Sequence, residues 1–219
     1  MPRPGEMSLA HRGVLFLDEF PEFSRSSLEA LRQPLEDGYI TVSRSSGTVQ
    51  FPARCLLVAA QNPCPCGNAG KDSARCTCAP NAITQYQKKI SGPLIDRIDL
   101  CVEVPHVSYE HLSSKISGET SECVRERVCN ARAIQRERFH SAERITNAEM
   151  RNSDIDQHCV LSSDAQGLLG KAVHQMSLSA RSYYRLIKIA RTIADLDKAE
   201  HISVQHIAES LQYRHKPLI

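Results

Sequence analysis

The sequence predicts an α/β core followed by an all-α segment. Three observations carry that expectation. Two short apolar runs, 14–17 and 55–60, each end in a polar pair, Asp18-Glu19 and Gln61-Asn62. Runs of this length read as strands buried on both faces, and open α/β sheets place their chemistry at such strand tips. Beyond His106 the strand signals disappear and helical periodicity takes over.

Composition narrows the class. The 219 residues are 41% hydrophobic and 24% charged, the balance of a soluble globular protein. No apolar run approaches the length of a membrane span and the N-terminus lacks a signal-peptide pattern, so a cytoplasmic setting without a membrane partner is expected. The net charge of +2 excludes a chain that is basic throughout, so any basic surface is local. Nine cysteines, an odd number without a secretory signal, argue against a disulfide framework.

Met1 to Arg12 is a Pro- and Gly-containing lead-in with room for one helical turn from Glu6 to His11. Gly13 to Glu19 is the first strand and its acids. Leu28, Leu31 and Leu35 recur at helical spacing, a serine among Ser24, Ser26 and Ser27 caps that helix, Pro34 bends or ends it, and Gly38 suits its C-terminal cap. Tyr39 to Arg54 holds two β-prone runs around Ser45-Ser46-Gly47, the pattern of a hairpin. Cys55 to Ala60 is the second core strand. Asn81 to Ile90 reads as a helix with Tyr86 and Ile90 on one face, and Leu100 to Val104 as a third strand stopped by Pro105. Residues 1–105 therefore form the first domain, with a cysteine-rich loop at 63–80, and residues 106–219 the second. There, helices are expected over Ser121 to Phe139, Ser163 to Met176, Ser179 to about Asp195, and from Ser203 onward, with Ser179 and Ser203 as caps.

Several residues carry possible chemistry. Asp18 and Glu19, closing Gly13-Val14-Leu15-Phe16-Leu17, have the form of a Walker B motif, in which the first acid helps hold Mg²⁺ and the second polarises a water. Taken alone, the stretch fits a core strand capped by two solvated acids equally well. Asn62 is placed to hold a water or a phosphate oxygen. Cys64, Cys66, Cys76 and Cys78 fall within fifteen positions of one another. Four thiolates close a tetrahedral Zn²⁺ site of the structural kind, and a polar loop with little to pack would be ordered by such a staple; the other reading is four free thiols. Arg44 lies near the hairpin tip, where the alternative is a solvated turn. Arg97 sits between Asp96 and Asp99, where the alternative is a weak surface ion pair. Arg125, Arg127, Arg132, Arg136 and Arg138 stud the first long helix, balanced by Glu126 and Glu137, and a solvated face is the plainer reading than a phosphate-contacting one. Arg181 occupies the first turn of its helix, placed to reach across a cleft.

The order of these features resembles the magnesium-chelatase-like AAA+ family. The strings GVLFLDEF, ALRQPLEDG, AAQNPCPCG, SGPLIDRIDL and ARSYYRLIKIARTIADL carry the likeness over nearly the whole chain, and NPCPCG with the later C-x-C is similar to the ComM/YifB branch. The resemblance implies a partial AAA+ P-loop NTPase core, with three remaining parallel strands and a pre-sensor-1 β-hairpin, followed by a helical lid. It implies that Asp18 and Glu19 are the Walker B pair, Asn62 the sensor-1 residue, Arg97 the arginine finger serving a neighbouring subunit, and Arg181 the sensor-2 arginine at the nucleotide. Arg44 would be the phosphate contact of a pore hairpin. ATP with Mg²⁺ as cofactors, DNA as partner, a homo-hexameric ring, and helicase activity in branch migration during natural transformation are all implied in the same way.

One part of the family pattern is missing. The sequence contains no G-x-x-x-x-G-K-[ST]; Gly70-Lys71-Asp72 is its nearest approach, without the first Gly or the hydroxyl. The family's P-loop strand lies between the sensor-1 strand and the strand after the arginine finger. A gap is thus expected between residues 55–60 and 100–104, with apolar side chains and backbone groups facing it. The chain is expected to be a C-terminal portion that is inactive without a P-loop half. The competing expectations are a non-catalytic remnant that binds DNA or a partner, and, less well supported, a magnesium-chelatase subunit.

Overall fold

A computed structural model describes residues 2–45, 47–69, 75–105, 107, 113, 118–140 and 145–214. Ser46 of the hairpin turn, the Gly70-Lys71-Asp72 stretch and most of 106–112 lie outside the described residues. The chain divides into two compact units, Met1–Ile98 and Asp99–His215.

In the first unit a helical turn, α1 (Glu6–Leu9), leads into strand β1 (Val14–Leu17). A 3-10 turn over Phe20–Glu22 follows. The expected leucine helix forms in two pieces, α2 (Arg25–Ala30) and α3 (Arg32–Asp37). Pro34 explains the break: it has no N–H for the carbonyl four residues earlier, that of Ala30. Ser24 caps α2 by accepting from the Ser27 amide at 3.1 Å, and Gly38 ends α3 with φ +76°, a left-handed cap that only glycine adopts without strain. Strands β2 (Tyr39–Arg44) and β3 (Gly47–Pro52) pair antiparallel, with Val42 opposite Val49, as the hairpin reading required. Strand β4 (Leu56–Ala59) then pairs parallel with β1, Leu17 opposite Ala59. After the cysteine loop come α4 (Pro80–Gln87) and the short α5 (Gly92–Ile95). Phe20, Leu28, Ile90 and Leu94 form the core of this unit, flanked by Leu17, Leu31 and Leu35.

Two expectations about the sheet need correction. Among the described residues the parallel sheet has two strands, not three. Residues 101–105 are not assigned to a strand, and Val102 and Val104 are 68% and 85% exposed. A third strand needs a neighbour for its N–H and C=O groups. Among the described residues no strand pairs with them, and the Cys101 amide instead donates to the Tyr213 carbonyl at 2.8 Å. Nor are β1 and β4 buried on both faces. Val14, Phe16, Leu56 and Val58 are exposed, and the register puts Val14 beside Leu56 and Phe16 beside Val58. The run is apolar on both faces, as the sequence suggested, and one of those faces is exposed.

The second unit is helical: α6 (Ser121–Phe139), α7 (Asn152–His158), α8 (Ser163–Met176), α9 (Ala180–Leu196) and α10 (Val204–Gln212), with a 3-10 turn at Asn147–Glu149. Thr120, Ser162 and Ser179 cap α6, α8 and α9. The core joins Ile155, Leu169, Leu186, Ala190, Ala194, Ile202 and Ile207. At its edge Asp195 is fully buried and binds both Arg138 and Arg191; Asn147 donates to the same carboxylate at 2.7 Å. Burial works against the charge of Asp195, but the hydrogen bonds of Arg138 and Asn147 and the two guanidiniums outweigh it and hold its pKa below the ordinary carboxylate value. None of the described helices is long and apolar enough to cross a membrane.

Replacing Asp195 by Ala leaves two arginines buried without their counter-charge. We expect a loss of about 3–5 kcal/mol in the unfolding free energy of this unit, measured by urea titration. Because the folded pKa of Asp195 is depressed, its contribution is complete above the unfolded value near ~4 and is lost as the pH falls through the folded value. Acid titration of wild type should show this loss, and the Asp195→Asn variant should lack it.

Candidate nucleotide-facing edge and metal centre

The carboxyl ends of β1 and β4 make the first site. Parallel pairing brings them level, since the Ala60 amide donates to the Leu17 carbonyl at 2.9 Å and the Phe20 amide to the Ala60 carbonyl at 2.9 Å. Asp18 and Glu19 follow β1, Asn62 follows β4, and all three are exposed. The chain reverses sharply at Glu19, which has φ +49° and ψ +44°. A non-glycine residue in this left-handed region costs about 1–2 kcal/mol. The next side chain compensates, because Phe20 is buried in the core and such burial contributes roughly 1.5–3 kcal/mol. The Asp18 Oδ1 accepts the Glu19 amide at 2.8 Å, which ties one carboxylate oxygen to the backbone. The result is a turn that presents two acids, with the Asn62 amide side chain after β4, on one sheet edge.

The second site is the cysteine cluster. The Sγ atoms of Cys64, Cys66, Cys76 and Cys78 all lie within 4.8 Å of one another. The Cys64–Cys66, Cys64–Cys76 and Cys66–Cys76 separations are 3.4, 3.8 and 3.6 Å. Zn–S bonds of about 2.3 Å in a tetrahedron put sulfurs roughly 3.8 Å apart, so the four thiols fit one Zn²⁺. Cys64 is buried and takes the Ala69 amide at 3.2 Å. Hydrogen bonds from the Asn68 and Thr77 amides and from neighbouring thiols bring the Cys66 pKa down to about 5. Its thiolate in turn drives Cys78 up to about 12, the expected behaviour of adjacent thiols that cannot all ionise without a cation.

The remaining sequence candidates each have surroundings of their own within their unit. Arg44 is exposed at the end of β2, beside the hairpin turn. Arg97, mostly buried, pairs with Glu36 at 2.9 Å and donates to the Pro93 carbonyl at 2.6 Å. Its ion-pair partner thus lies on α3, 61 residues away in sequence, where local reading does not look. Arg181, in the first turn of α9, is exposed and shares the electrostatic surroundings of Asp99 with Arg185 and Lys188. Sequence reasoning also missed the ties that α4 makes. The Gln87 side chain donates to the Pro63 carbonyl at 3.3 Å, the Asn62 backbone amide hydrogen-bonds the Tyr86 hydroxyl, and Lys89, just past α4, pairs with Glu22 at 2.9 Å. The apolar placement of Tyr86 was visible in the sequence; its polar end was not.

With this geometry in view, comparison with known proteins is decisive for the family. Residues 1–112 match the family described as magnesium chelatase, subunit ChlI, and residues 118–214 match the C-terminal region of the same subunit. The chain belongs to the magnesium chelatase ChlI family. Within that family it is 46% identical to the competence protein ComM of Haemophilus influenzae over 215 residues, 98% of this chain. It is 45% and 43% identical to the uncharacterised YifB proteins of Escherichia coli and Salmonella typhimurium, again over 98% of its length. It spans 41% of the length of each of these relatives.

The metal centre gives a direct prediction. Purified protein should carry about one Zn²⁺ per chain by metal analysis, and Cys64→Ser with Cys76→Ser should abolish it. Four freely titratable thiols with no bound metal would refute the site.

Proposed function

We propose that this chain is the Walker B-to-lid portion of a ComM-like AAA+ ATPase that couples ATP hydrolysis to movement on DNA. The observation that carries the reading is the level placement of Asp18, Glu19 and Asn62 on one edge of a parallel strand pair, with Glu19 held in a strained turn. Backbone strain kept at a polar, exposed position is a mark of a working site. Bound ATP and its Mg²⁺ would bring the reactive phosphoanhydride and charge neutralisation. In this reading Asp18 helps hold the metal, Glu19 polarises the attacking water, and Asn62 aligns that water. Arg97 serves as the finger that stabilises the transferring phosphoryl group of a neighbouring subunit in a hexameric ring, and Arg181 as a lid contact to nucleotide. The hairpin β2–β3 supplies the DNA contact through Arg44.

The phosphate cradle would come from a segment bearing G-x-x-x-x-G-K-[ST], which these 219 residues do not contain. The uncovered face of the β1–β4 pair and the exposed apolar residues Leu100, Val102 and Val104 support that view, since they are surfaces that a further strand and its helices would cover. The name of the Haemophilus relative, a competence protein, supports a role in competence; DNA as substrate and branch migration in natural transformation are what the family resemblance adds to this reading. A non-catalytic reading, DNA binding through the hairpin alone, is favoured by one feature, the separation of β2–β3 as a sheet of its own with Arg44 exposed.

The two readings separate by experiment. Mixed with a P-loop-bearing segment of a ComM relative, the chain should hydrolyse ATP, and Glu19→Gln should lower turnover by about 10²–10⁴-fold. Micromolar ATP binding by this chain alone in a calorimetric titration sinks the dependence on a separate P-loop segment, and turnover indifferent to Glu19 sinks the motor reading. For DNA, Arg44→Ala should weaken binding and reduce the slope of log K against log[salt] by about 1. An unchanged slope argues against the hairpin.

A further inference from the structure

We infer that the four-cysteine metal site acts at a distance on the sheet edge: it sets the position of Asn62 through Tyr86 and Gln87. The inference rests on the assignment of Asn62 to the catalytic edge, and its physical content can be tested apart from it. The loop that carries the cysteines begins immediately after Asn62 and ends immediately before α4, with Cys64 and Cys66 at one end and Cys76 and Cys78 at the other. A metal that joins the two ends therefore closes a ring from the tip of β4 to the start of α4. Closing a ring of this length costs little entropy, so one ion can hold the two cysteine pairs together.

The far end of α4 turns back onto the same strand tip. Tyr86 is buried, and the Asn62 backbone amide hydrogen-bonds its hydroxyl. Gln87 holds the next carbonyl, that of Pro63, at 3.3 Å. Gly67, at φ +82°, lies under the Asn62 side chain, so that a Cβ there would sit 3.9 Å from Asn62 Cγ. Lys89 lies over the Tyr86 ring at 5.6 Å and pairs with Glu22, in the turn that follows Glu19. The helix and the residue just past it thus tie to the residues after both strands. The helix has eight residues and only Tyr86 among them is buried, so its own packing is slight. What fixes its start is the loop, and what fixes the loop is the cysteine cluster.

Tyr86 and Gln87 are accordingly positioning residues, and the metal is the element that keeps them in place. A structural metal placed elsewhere would stabilise its loop and nothing more. Here its removal should release Asn62 while leaving the hairpin β2–β3, which has its own ladder, undisturbed.

The test is amide hydrogen exchange on the 219-residue chain, zinc-loaded and after chelation, with the Tyr86→Phe variant alongside. Zinc removal should raise exchange at the Asn62 amide by about tenfold or more, the loss of roughly one hydrogen bond's protection, with no change across Tyr39–Pro52. Tyr86→Phe keeps the ring and the four cysteines. It should retain one zinc per chain and yet show the Asn62 exchange of the metal-free protein. Gln87→Ala, which removes only the hydrogen bond to the Pro63 carbonyl, should give a smaller rise at the same place. Asn62 exchange that is indifferent to zinc, or to the Tyr86 hydroxyl, overturns the inference, as does a chain that binds no zinc. Failure of the ATPase reading shows differently, as turnover indifferent to Glu19 with the exchange coupling intact.

Discussion

Two backbone hydrogen bonds, Ala60 to Leu17 and Phe20 to Ala60, hold the candidate site together. They lock the ends of β1 and β4 level, so that residues more than forty positions apart share one edge. Everything polar at that edge depends on them. If β4 slipped by one residue, Asn62 would move along the strand and the side chains of β4 would exchange faces. The register is protected by the turn that follows β1, because Phe20 is buried in the same core as Leu28 and Leu94. A strained residue, a buried anchor and a cross-strand bond form one device, and the sheet needs no third strand to keep its two tips aligned.

The two units achieve order by different means. The second has an apolar core along α8, α9 and α10, with a buried carboxylate bound by two arginines beside it. Apolar burial supplies its stability, and the ion cluster ties α6 and the Asn147 turn to α9 with direction that apolar contact lacks. The first unit has a smaller core, Phe20, Leu28, Ile90 and Leu94, and spends many residues in loops. Its sheet exposes an apolar face. A unit of this kind relies more on specific ties, the cap of Ser24, the Lys89–Glu22 pair and the clustered thiols, than on area removed from water.

Most of the element order was legible from periodicity and caps. The serine cluster Ser24, Ser26 and Ser27, of which Ser24 is the cap, Ser179 and the hairpin turn announced their elements because each satisfies a local rule. The helix over Ser121–Phe139 was read to the residue. The third strand at 100–104 was misplaced for a physical reason: a strand exists only with a neighbour, and apolar alternation says nothing of whether one is present. The same reason hid the open face of β1. At the site, the strand-tip acids and the cysteine spacing could be read directly. Glu36 beside Arg97 could not, nor could Tyr86 at Asn62, because those ties join segments tens of residues apart and no local spacing encodes them.

The left-handed backbone at Glu19 has a consequence for how such a sequence can drift. At that φ the residue that suits the backbone best is glycine, and a Glu19→Gly replacement would relieve the strain. Selection for thermal tolerance alone therefore pushes against the acid, while selection for the chemistry of the edge retains it. The position works as a record of which pressure has prevailed, and in this chain the carboxylate is still there.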